Sequence, residues 1–156
     1  MKRDSLAMAD RILIDTNILL YAYDRAEPVK QPKALAVLDR LITWRIGALT
    51  PQVLVEFFVN ATRRLDPPLT VEDAYERIQN YLMSCEVIDV TGPIVLEAVR
   101  GVCTYKMSYW DAQIWASARL YQIPVIFSED FDAGAVVEGV RFVNPFAEDF
   151  NLENWK

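Results

Sequence analysis

Short apolar runs alternate with longer stretches of helical periodicity along this chain, and this alternation restricts the possible folds more than any other feature. The short runs predict strands at 11–15, 47–50, 86–90, 124–127 and, at the sheet edge, 140–143. The longer stretches predict helices at 17–25, 32–45, 52–64, 71–84, 93–105 and 109–121. Strands separated by helices form βαβ units, whose right-handed crossovers place helices on both faces of a parallel sheet. The sequence therefore predicts an α/β fold with a central parallel sheet of four to five strands.

The length of the chain, 156 residues with 53% apolar, suits one domain with a single core. We predict a flexible leader at 1–10, a domain at 11–146 and a C-terminal tail at 147–156. The chain has no run of about 18 apolar residues that would span a membrane, and the leader lacks the apolar segment of a secretory signal. Two cysteines outside any metal-binding pattern fit reduced thiols. We therefore expect a cytoplasmic protein.

The chain contains no histidine. This absence excludes Ser-His-Asp hydrolases, histidine-based ribonucleases and zinc sites with histidine ligands. The chain also has 22 acidic and 16 basic residues, a net charge of −6, so its overall field repels nucleic acid. A nuclease of this composition needs a bound divalent cation to reverse the charge locally.

Four carboxylates lie just after predicted strands or early in predicted helices. Asp15 closes the first strand, and Asp130 follows the end of the fourth by three residues. Glu56 lies one turn into the helix after the second strand, and Asp111 lies in the first turn of the helix at 109–121. Ligand sites of parallel sheets form outside the carboxyl ends of the strands. We therefore expect the fold to bring these four side chains together.

A group of four carboxylates is unfavourable unless a cation neutralises it, because like charges raise one another's pKa. Mg²⁺ and Mn²⁺ prefer oxygen ligands, and Mg²⁺ keeps several waters while it binds carboxylates and substrate phosphates. One or two such ions activate water and stabilise the charge that develops on a phosphodiester. The acids therefore indicate a metal-dependent nuclease, whose chemistry requires no histidine.

Each acid also has a purely structural interpretation. Asp15 can cap the helix that follows it, and Glu56 can be a solvated helix residue. Ser108 and Asp111 have the spacing of a capping box, and an acid in the first turn of a helix interacts favourably with the helix dipole. Asp130 lies in an acidic loop, where most acids are simply solvated. The catalytic interpretation depends on the set of four and not on any single member.

Four segments contain these acids: 12–20 (ILIDTNILL), 49–57 (LTPQVLVEF), 108–118 (SYWDAQIWASA) and 127–131 (FSEDF). Together they resemble the motifs of PIN domains, such as the VapC-type toxins of toxin–antitoxin pairs. The third segment is the most specific, and the four occur in the order of the family. The resemblance implies a three-layer α/β/α sandwich and an Mg²⁺- or Mn²⁺-dependent endoribonuclease, the toxin of such a pair.

The resemblance also implies roles for individual residues. Those that match the metal-binding and catalytic acids are Asp15, Glu56, Asp111 and Asp130. Those that match supporting polar positions are Thr16, Asn17 and Ser128, with Asp132 secondary because 131–134 departs from the usual ending. The family further implies an RNA substrate, homodimers and a cognate antitoxin that blocks the site.

Basic and aromatic residues offer further contacts for a substrate. Arg63 and Arg64 lie about two turns beyond Glu56 on one helix, and we consider them candidate phosphate contacts; ordinary solvated helix charges are the alternative. Trp110 and Trp115 can stack on bases. For both tryptophans we favour packing in the core or in a dimer interface.

Three other functions compete with this interpretation. A catalytically silent PIN-like binding module is one, and the presence of all four acids is the argument against it. A phosphoreceiver domain has two adjacent acids after its first strand and a lysine after its last. Here Thr16 follows Asp15, and no lysine lies between Lys106 and Lys156. A haloacid-dehalogenase-like phosphatase requires an acid where Asn17 stands.

Overall fold

The computed structural model describes residues 11–132 and 134–155, and the leader predicted at 1–10 lies outside the described residues. The described chain forms one six-stranded sheet. Its strands are β1 (Ile12–Ile14), β2 (Gly47–Leu49), β3 (Glu86–Val87), β4 (Val125–Phe127), β5 (Val136–Val137) and β6 (Val140–Val143). Their order across the sheet is β3-β2-β1-β4-β6-β5.

The sheet is parallel except at one edge. β1 pairs in parallel with β2 and β4, β2 with β3, and β4 with β6, whereas β5 runs antiparallel to β6. The predicted α/β sandwich is thus confirmed, but its sheet has six strands instead of four to five. The additional strand, β5, belongs to a hairpin whose turn residues Glu138 and Gly139 have φ of 48° and 84°. A two-residue turn with positive φ matches the twist of paired strands, but two valines are too few for a periodic pattern.

Six α-helices flank the sheet in the described chain, and a short 3₁₀ helix (Leu152–Asn154) follows it. They are α1 (Thr16–Tyr21), α2 (Lys30–Thr43), α3 (Pro51–Arg63), α4 (Val71–Ser84), α5 (Gly92–Tyr105) and α6 (Tyr109–Leu120). Helix α1 is shorter than the predicted 17–25, because Asp24 accepts a hydrogen bond from the Ala26 N–H in a turn. The predicted start at Thr70 is confirmed, since its hydroxyl accepts from the Asp73 N–H at 3.0 Å.

The central strands form the core. All residues of β1, β2 and β4 are buried, as expected for parallel strands covered by helices on both faces. The rings of Phe150 and Trp155 meet Phe127 edge to face, with centroids 5.7 and 4.9 Å away, so the segment at 147–155 packs against this core. None of the described helices is long and apolar enough to cross a membrane.

The strand order creates a switch point between β1 and β4. From β1 the chain adds β2 and then β3 on one side, and it returns to place β4 and β6 on the other. Loops that leave neighbouring strands in opposite directions open a crevice at their carboxyl ends, where ligands of such sheets bind. Residues 15 and 128 are the first residues after β1 and β4 at this crevice.

Candidate active site

Asp15 lies at the switch point, directly after β1. One carboxylate oxygen, Oδ1, accepts a hydrogen bond from the Thr16 N–H at 2.8 Å, so Asp15 does cap α1. The other, Oδ2, accepts from the Ser128 hydroxyl at 2.6 Å. The capping role therefore fixes the carboxylate in the crevice, and the structural and catalytic interpretations of Asp15 are compatible.

Asn17 and Ser128 hold the loop that contains Asp130. The Asn17 amide donates from Nδ2 to Oδ2 of Asp130 at 3.1 Å, and its Oδ1 accepts from the Glu129 N–H at 3.4 Å. The Ser128 hydroxyl oxygen accepts from the Asp130 N–H at 3.1 Å. Ser128 is 1% exposed, which makes it a buried link between Asp15 and the Asp130 loop.

Glu56 reaches the same crevice from α3. Its Oε2 accepts from the Thr16 hydroxyl at 2.8 Å, and its Oε1 accepts from the Gln52 amide at 3.1 Å. Gln52 lies one helical turn before Glu56, so the two side chains share a helix face. Both carboxylate oxygens are thus oriented by neutral donors, which leave the negative charge uncompensated.

Asp111 lies in the first turn of α6. Its backbone N–H donates to the Ser108 hydroxyl at 3.3 Å, which confirms the predicted helix start. The cap therefore fixes the position of Asp111, which is partly buried.

The four acids Asp15, Glu56, Asp111 and Asp130 line one cavity of about 100 Å³, here called the acidic pocket. Its described wall contains no lysine or arginine. The pKa of Asp15 is raised from 3.8 to about 6: burial is the main cause, the Ser128 and Thr16 hydrogen bonds oppose it, and the Asp130 and Asp111 carboxylates add to it. Burial also raises the pKa of Asp111, with contributions from Asp130 and Glu56. The pocket therefore has excess negative charge without a protein cation.

The donors of the acidic pocket fit a hard divalent cation. All four acids offer oxygen ligands, and a bound cation would supply the charge that the wall lacks. Within the described residues, no three acidic side chains converge closely enough to form a complete ligand set. Mg²⁺ does not require such a set, because it binds proteins through one or two carboxylates and retains several waters.

Four residues predicted from the sequence are not part of the pocket wall, and one of them, Ser128, is buried and donates to Asp15. Arg63 and Arg64 are exposed at the end of α3, and Asp132 is exposed in the loop after Asp130. Their suggested roles in phosphate contact and support stay predictions. The two tryptophans of α6 differ in exposure. Trp115 is 0% exposed and packs in the core, one of the two arrangements that we favoured for it. Trp110 is 56% exposed and lines the pocket.

Further residues that the sequence motifs did not predict line or support the site. Gln52 and Gln113 line the pocket, and Lys30 and Tyr21 bind the Glu129 carboxylate beside Asp130 at 2.7 and 2.6 Å. A signal existed for Gln52, which lies four residues before Glu56 on a predicted helix. The Lys30–Glu129 contact spans 99 residues and gave no local signal.

A protein family and several solved structures are similar to this chain. Residues 12–138 match the PIN domain. A toxin–antitoxin complex from Klebsiella pneumoniae has a TM-score of 0.61 at 22% identity, over 86% of this chain and 97% of the other. VapC20 of Mycobacterium tuberculosis, described as a sarcin-ricin loop cleaving toxin, has a TM-score of 0.62 at 22% identity, over 83% and 98%. VapBC2 of Rickettsia felis, bound to a DNA fragment from its promoter, has a TM-score of 0.59 at 15% identity, over 84% and 96%.

The solved structures, at these identities, show a shared fold. The comparison with curated proteins gave no match. The family match, in contrast, covers most of the chain and includes all four acids of the pocket. This protein therefore belongs to the PIN domain family.

Proposed function

We propose that the protein is an Mg²⁺- or Mn²⁺-dependent endoribonuclease and the toxin of a toxin–antitoxin pair. One observation supports this most strongly: four carboxylates from four separate segments line a single pocket whose described wall has no basic residue. Such a pocket is costly without a cation and is suited to hold one beside a phosphodiester. The description of the M. tuberculosis relative as a toxin that cleaves the sarcin-ricin loop agrees with RNA as the substrate class.

In this proposal the four acids, Asp15, Glu56, Asp111 and Asp130, hold the cation and its waters. When bound, the cation supplies Lewis-acid activation and neutralises charge on the phosphate. The chain's own contribution is orientation. Thr16, Asn17 and Ser128 fix the carboxylates through hydrogen bonds of 2.8, 3.1 and 2.6 Å.

Phosphate contacts outside the pocket are a separate part of the proposal. Arg63 and Arg64 are exposed on the same helix as Glu56, and we propose that they bind the RNA backbone. Replacing both with alanine should weaken RNA binding uniformly across sequences and reduce its salt dependence. Binding measured at several salt concentrations checks this role.

The test of the proposed activity is cleavage of labelled RNA with Mg²⁺ or Mn²⁺, with and without EDTA. We expect wild-type cleavage to be abolished by EDTA. Asp15→Asn should reduce cleavage by about 100-fold or more, since loss of even an outer-shell group costs about 10–100-fold. Asp39→Asn is the matched control, because Asp39 is an exposed aspartate on α2. Cleavage that persists both in EDTA and in Asp15→Asn would refute the mechanism.

Metal binding provides an independent test. Calorimetry and crystals soaked in Mn²⁺ should place the ion against Asp15 and at least one of Asp111 or Asp130. An ion found elsewhere on the fold would contradict the site. Metal binding in the pocket without cleavage of any RNA would favour the catalytically silent binding module.

We propose a homodimer and a cognate antitoxin as protein partners, and the cytoplasm as location. The solved relatives include toxin–antitoxin complexes. On α5, Val95, Leu96 and Val99 are 41%, 75% and 46% exposed, and such an apolar surface suits a protein contact. Sedimentation should give twice the chain mass. Co-expression with the product of a neighbouring small reading frame should give a complex that no longer cleaves RNA.

A further inference from the structure

An open groove of about 530 Å³ adjoins the acidic pocket, and its wall contains the aromatic rings of Tyr109 and Trp110. We call it the aromatic groove. Gln52, Trp110 and Gln113 line both the groove and the acidic pocket, so the two cavities are direct neighbours. A molecule whose phosphodiester lies in the pocket therefore places its neighbouring groups in the groove.

Trp110 presents an exposed ring at the junction of the two cavities. Its ring meets that of Tyr109 edge to face, with centroids 5.1 Å apart and planes at 75°. Tyr109 itself packs partly against the core, so it restrains the orientation of Trp110. Trp110 nevertheless remains 56% exposed. A restrained, exposed aromatic ring beside a phosphodiester site suits stacking on a base.

Gln113 adds a polar side chain to the wall that both cavities share. The residue as a whole is 7% exposed. Its backbone carbonyl accepts from Ser117, but its side-chain amide makes no hydrogen bond within residues 11–132 and 134–155. The amide atoms are not among the fully buried, unpartnered atoms of the described residues, so they reach the open cavity and are available to a ligand. An amide offers a donor and an acceptor, the pair that recognises base edges.

The charge of the aromatic groove distinguishes a base from a phosphate as its occupant. No lysine or arginine lines the groove among the described residues, and Asp89 lies in its wall. A phosphate would be repelled there, whereas an uncharged planar ring would not. The chain's net charge of −6 also limits the affinity that phosphate contacts can supply, so base contacts gain importance.

We propose that the aromatic groove is a nucleobase subsite for single-stranded RNA. Trp110 stacks on one unpaired base next to the phosphodiester in the acidic pocket, and the Gln113 amide binds the edge of that base. Because Trp110 and Asp111 are consecutive residues of α6, stacking positions the base relative to a catalytic acid. A base in a duplex cannot stack in this way, so the subsite selects unpaired RNA. This inference rests on the proposed ribonuclease function.

The experiment measures kcat and KM for a 12-nucleotide single-stranded RNA that the wild type cleaves, selected from a random pool. Each nucleotide in turn is replaced by an abasic unit. For the wild type we expect one position beside the cleaved bond where the abasic unit lowers kcat/KM by about tenfold, the size expected for one stacked base. Trp110→Ala should lower kcat/KM on intact RNA by a similar factor and show no further loss with the abasic RNA. Trp110→Phe should retain most of the activity.

Two further variants make the result specific. Trp44→Ala is the matched control, because Trp44 is 53% exposed but lies before the amino end of β2, away from the acidic pocket. It should behave as the wild type. Gln113→Leu should reduce discrimination among the four bases at the sensitive position, where the wild type should distinguish them.

The outcomes separate this inference from the function on which it rests. Suppose that the wild type cleaves RNA and that the abasic unit lowers kcat/KM of Trp110→Ala as much as it lowers that of the wild type. The subsite is then wrong, and the ribonuclease function stands. If Trp110→Ala leaves cleavage unchanged and alters the sedimentation of the protein, Trp110 belongs to a contact between copies, which also overturns the subsite. If the wild type cleaves no RNA in the pool, the proposed function and the subsite both fail.

Discussion

The Ser128 hydroxyl donates a hydrogen bond of 2.6 Å to Oδ2 of Asp15, and this bond joins the carboxyl ends of β4 and β1. The two residues are 113 positions apart in the chain, but their strands are neighbours in the sheet. Burial raises the pKa of Asp15 to about 6, and the Ser128 bond opposes that increase. Ser128 therefore stabilises the ionised carboxylate, the form that binds a metal ion.

Ser128→Ala should weaken metal binding by about 10–100-fold, the range typical of groups that orient a ligand. The pKa of Asp15 rises when the bond is lost, so protons compete more strongly with the ion. Mn²⁺ calorimetry at pH 7 measures the effect, and excess Mn²⁺ should restore cleavage. Ser84→Ala is the control, since the Ser84 hydroxyl bonds only to a helix carbonyl in α4. Equal Mn²⁺ affinity of both variants would contradict this role.

Asp15→Asn should stabilise the metal-free protein at neutral pH. The pKa of Asp15 in the folded state, about 6, exceeds its ordinary value of 3.8, so the folded chain binds the proton more tightly between pH 4 and 6. The resulting stabilisation is complete below pH 4 and is lost as the pH rises through 6. The neutral amide of asparagine avoids the burial of a charge. We therefore expect the free energy of unfolding to rise by about 1–3 kcal/mol relative to the wild type at pH 7.5 and to change little at pH 4.

Urea denaturation in EDTA at several pH values measures this difference in the free energy of unfolding. Asp39→Asn, at an exposed position outside the acidic pocket, is the matched control. If the free energies of unfolding of Asp15→Asn and the wild type differ by a constant amount from pH 4 to 7.5, the pKa of Asp15 is not raised and the prediction is wrong.

Lys30→Met should destabilise the loop that contains Asp130. The Lys30 ammonium lies 2.7 Å from the Glu129 carboxylate, which also accepts from the Tyr21 hydroxyl. The contact is partly exposed, so we expect a loss of about 0.5–1 kcal/mol of stability. Because Glu129 precedes Asp130, the Mn²⁺ concentration for half-maximal cleavage should also rise several-fold. Lys33→Met, at an exposed position of α2, is the control and should change neither the stability nor the Mn²⁺ concentration for half-maximal cleavage.

Gly101→Ala should disrupt the contact between α5 and α6. A Cβ at Gly101 would lie 2.9 Å from Cζ3 of Trp115, which is fully buried and cannot move freely. We expect a loss of about 1–3 kcal/mol, typical of an overpacked core. At Gly92, on the same helix, a Cβ meets nothing within 4 Å, so Gly92→Ala should be nearly neutral. Thermal and urea unfolding of the two variants check the difference, and equal stabilities would refute the close contact.

The sequence was informative wherever a structural signal depends on nearby residues. Apolar runs predicted β1 and β4 because a strand buried on both faces needs apolar residues throughout. The hydroxyls of Thr70 and Ser108 predicted helix starts because a cap is satisfied within three residues. The same local reasoning failed for β5, whose two residues become a strand only because the turn at 138–139 returns them to β6.

Trp110 and Trp115 show where local reasoning ends. They lie five positions apart on one helix, and yet Trp110 is 56% exposed and Trp115 is 0% exposed. The ring of Trp115 packs closely against Gly101 of α5, where a Cβ would lie 2.9 Å from it. This contact joins two helices, so the residues next to Trp115 in the chain do not specify it.

By itself, the sequence determined the helices, most strands and the four acids of the candidate site, since periodicity, caps and motifs depend on residues close in the chain. The tertiary structure alone decided that Ser128 binds Asp15, that Thr16 orients Glu56, and that no described lysine or arginine lines the pocket. These relationships join residues 113 and 40 positions apart. They depend on the order of strands in the sheet, which brings the ends of β1 and β4 together at the switch point.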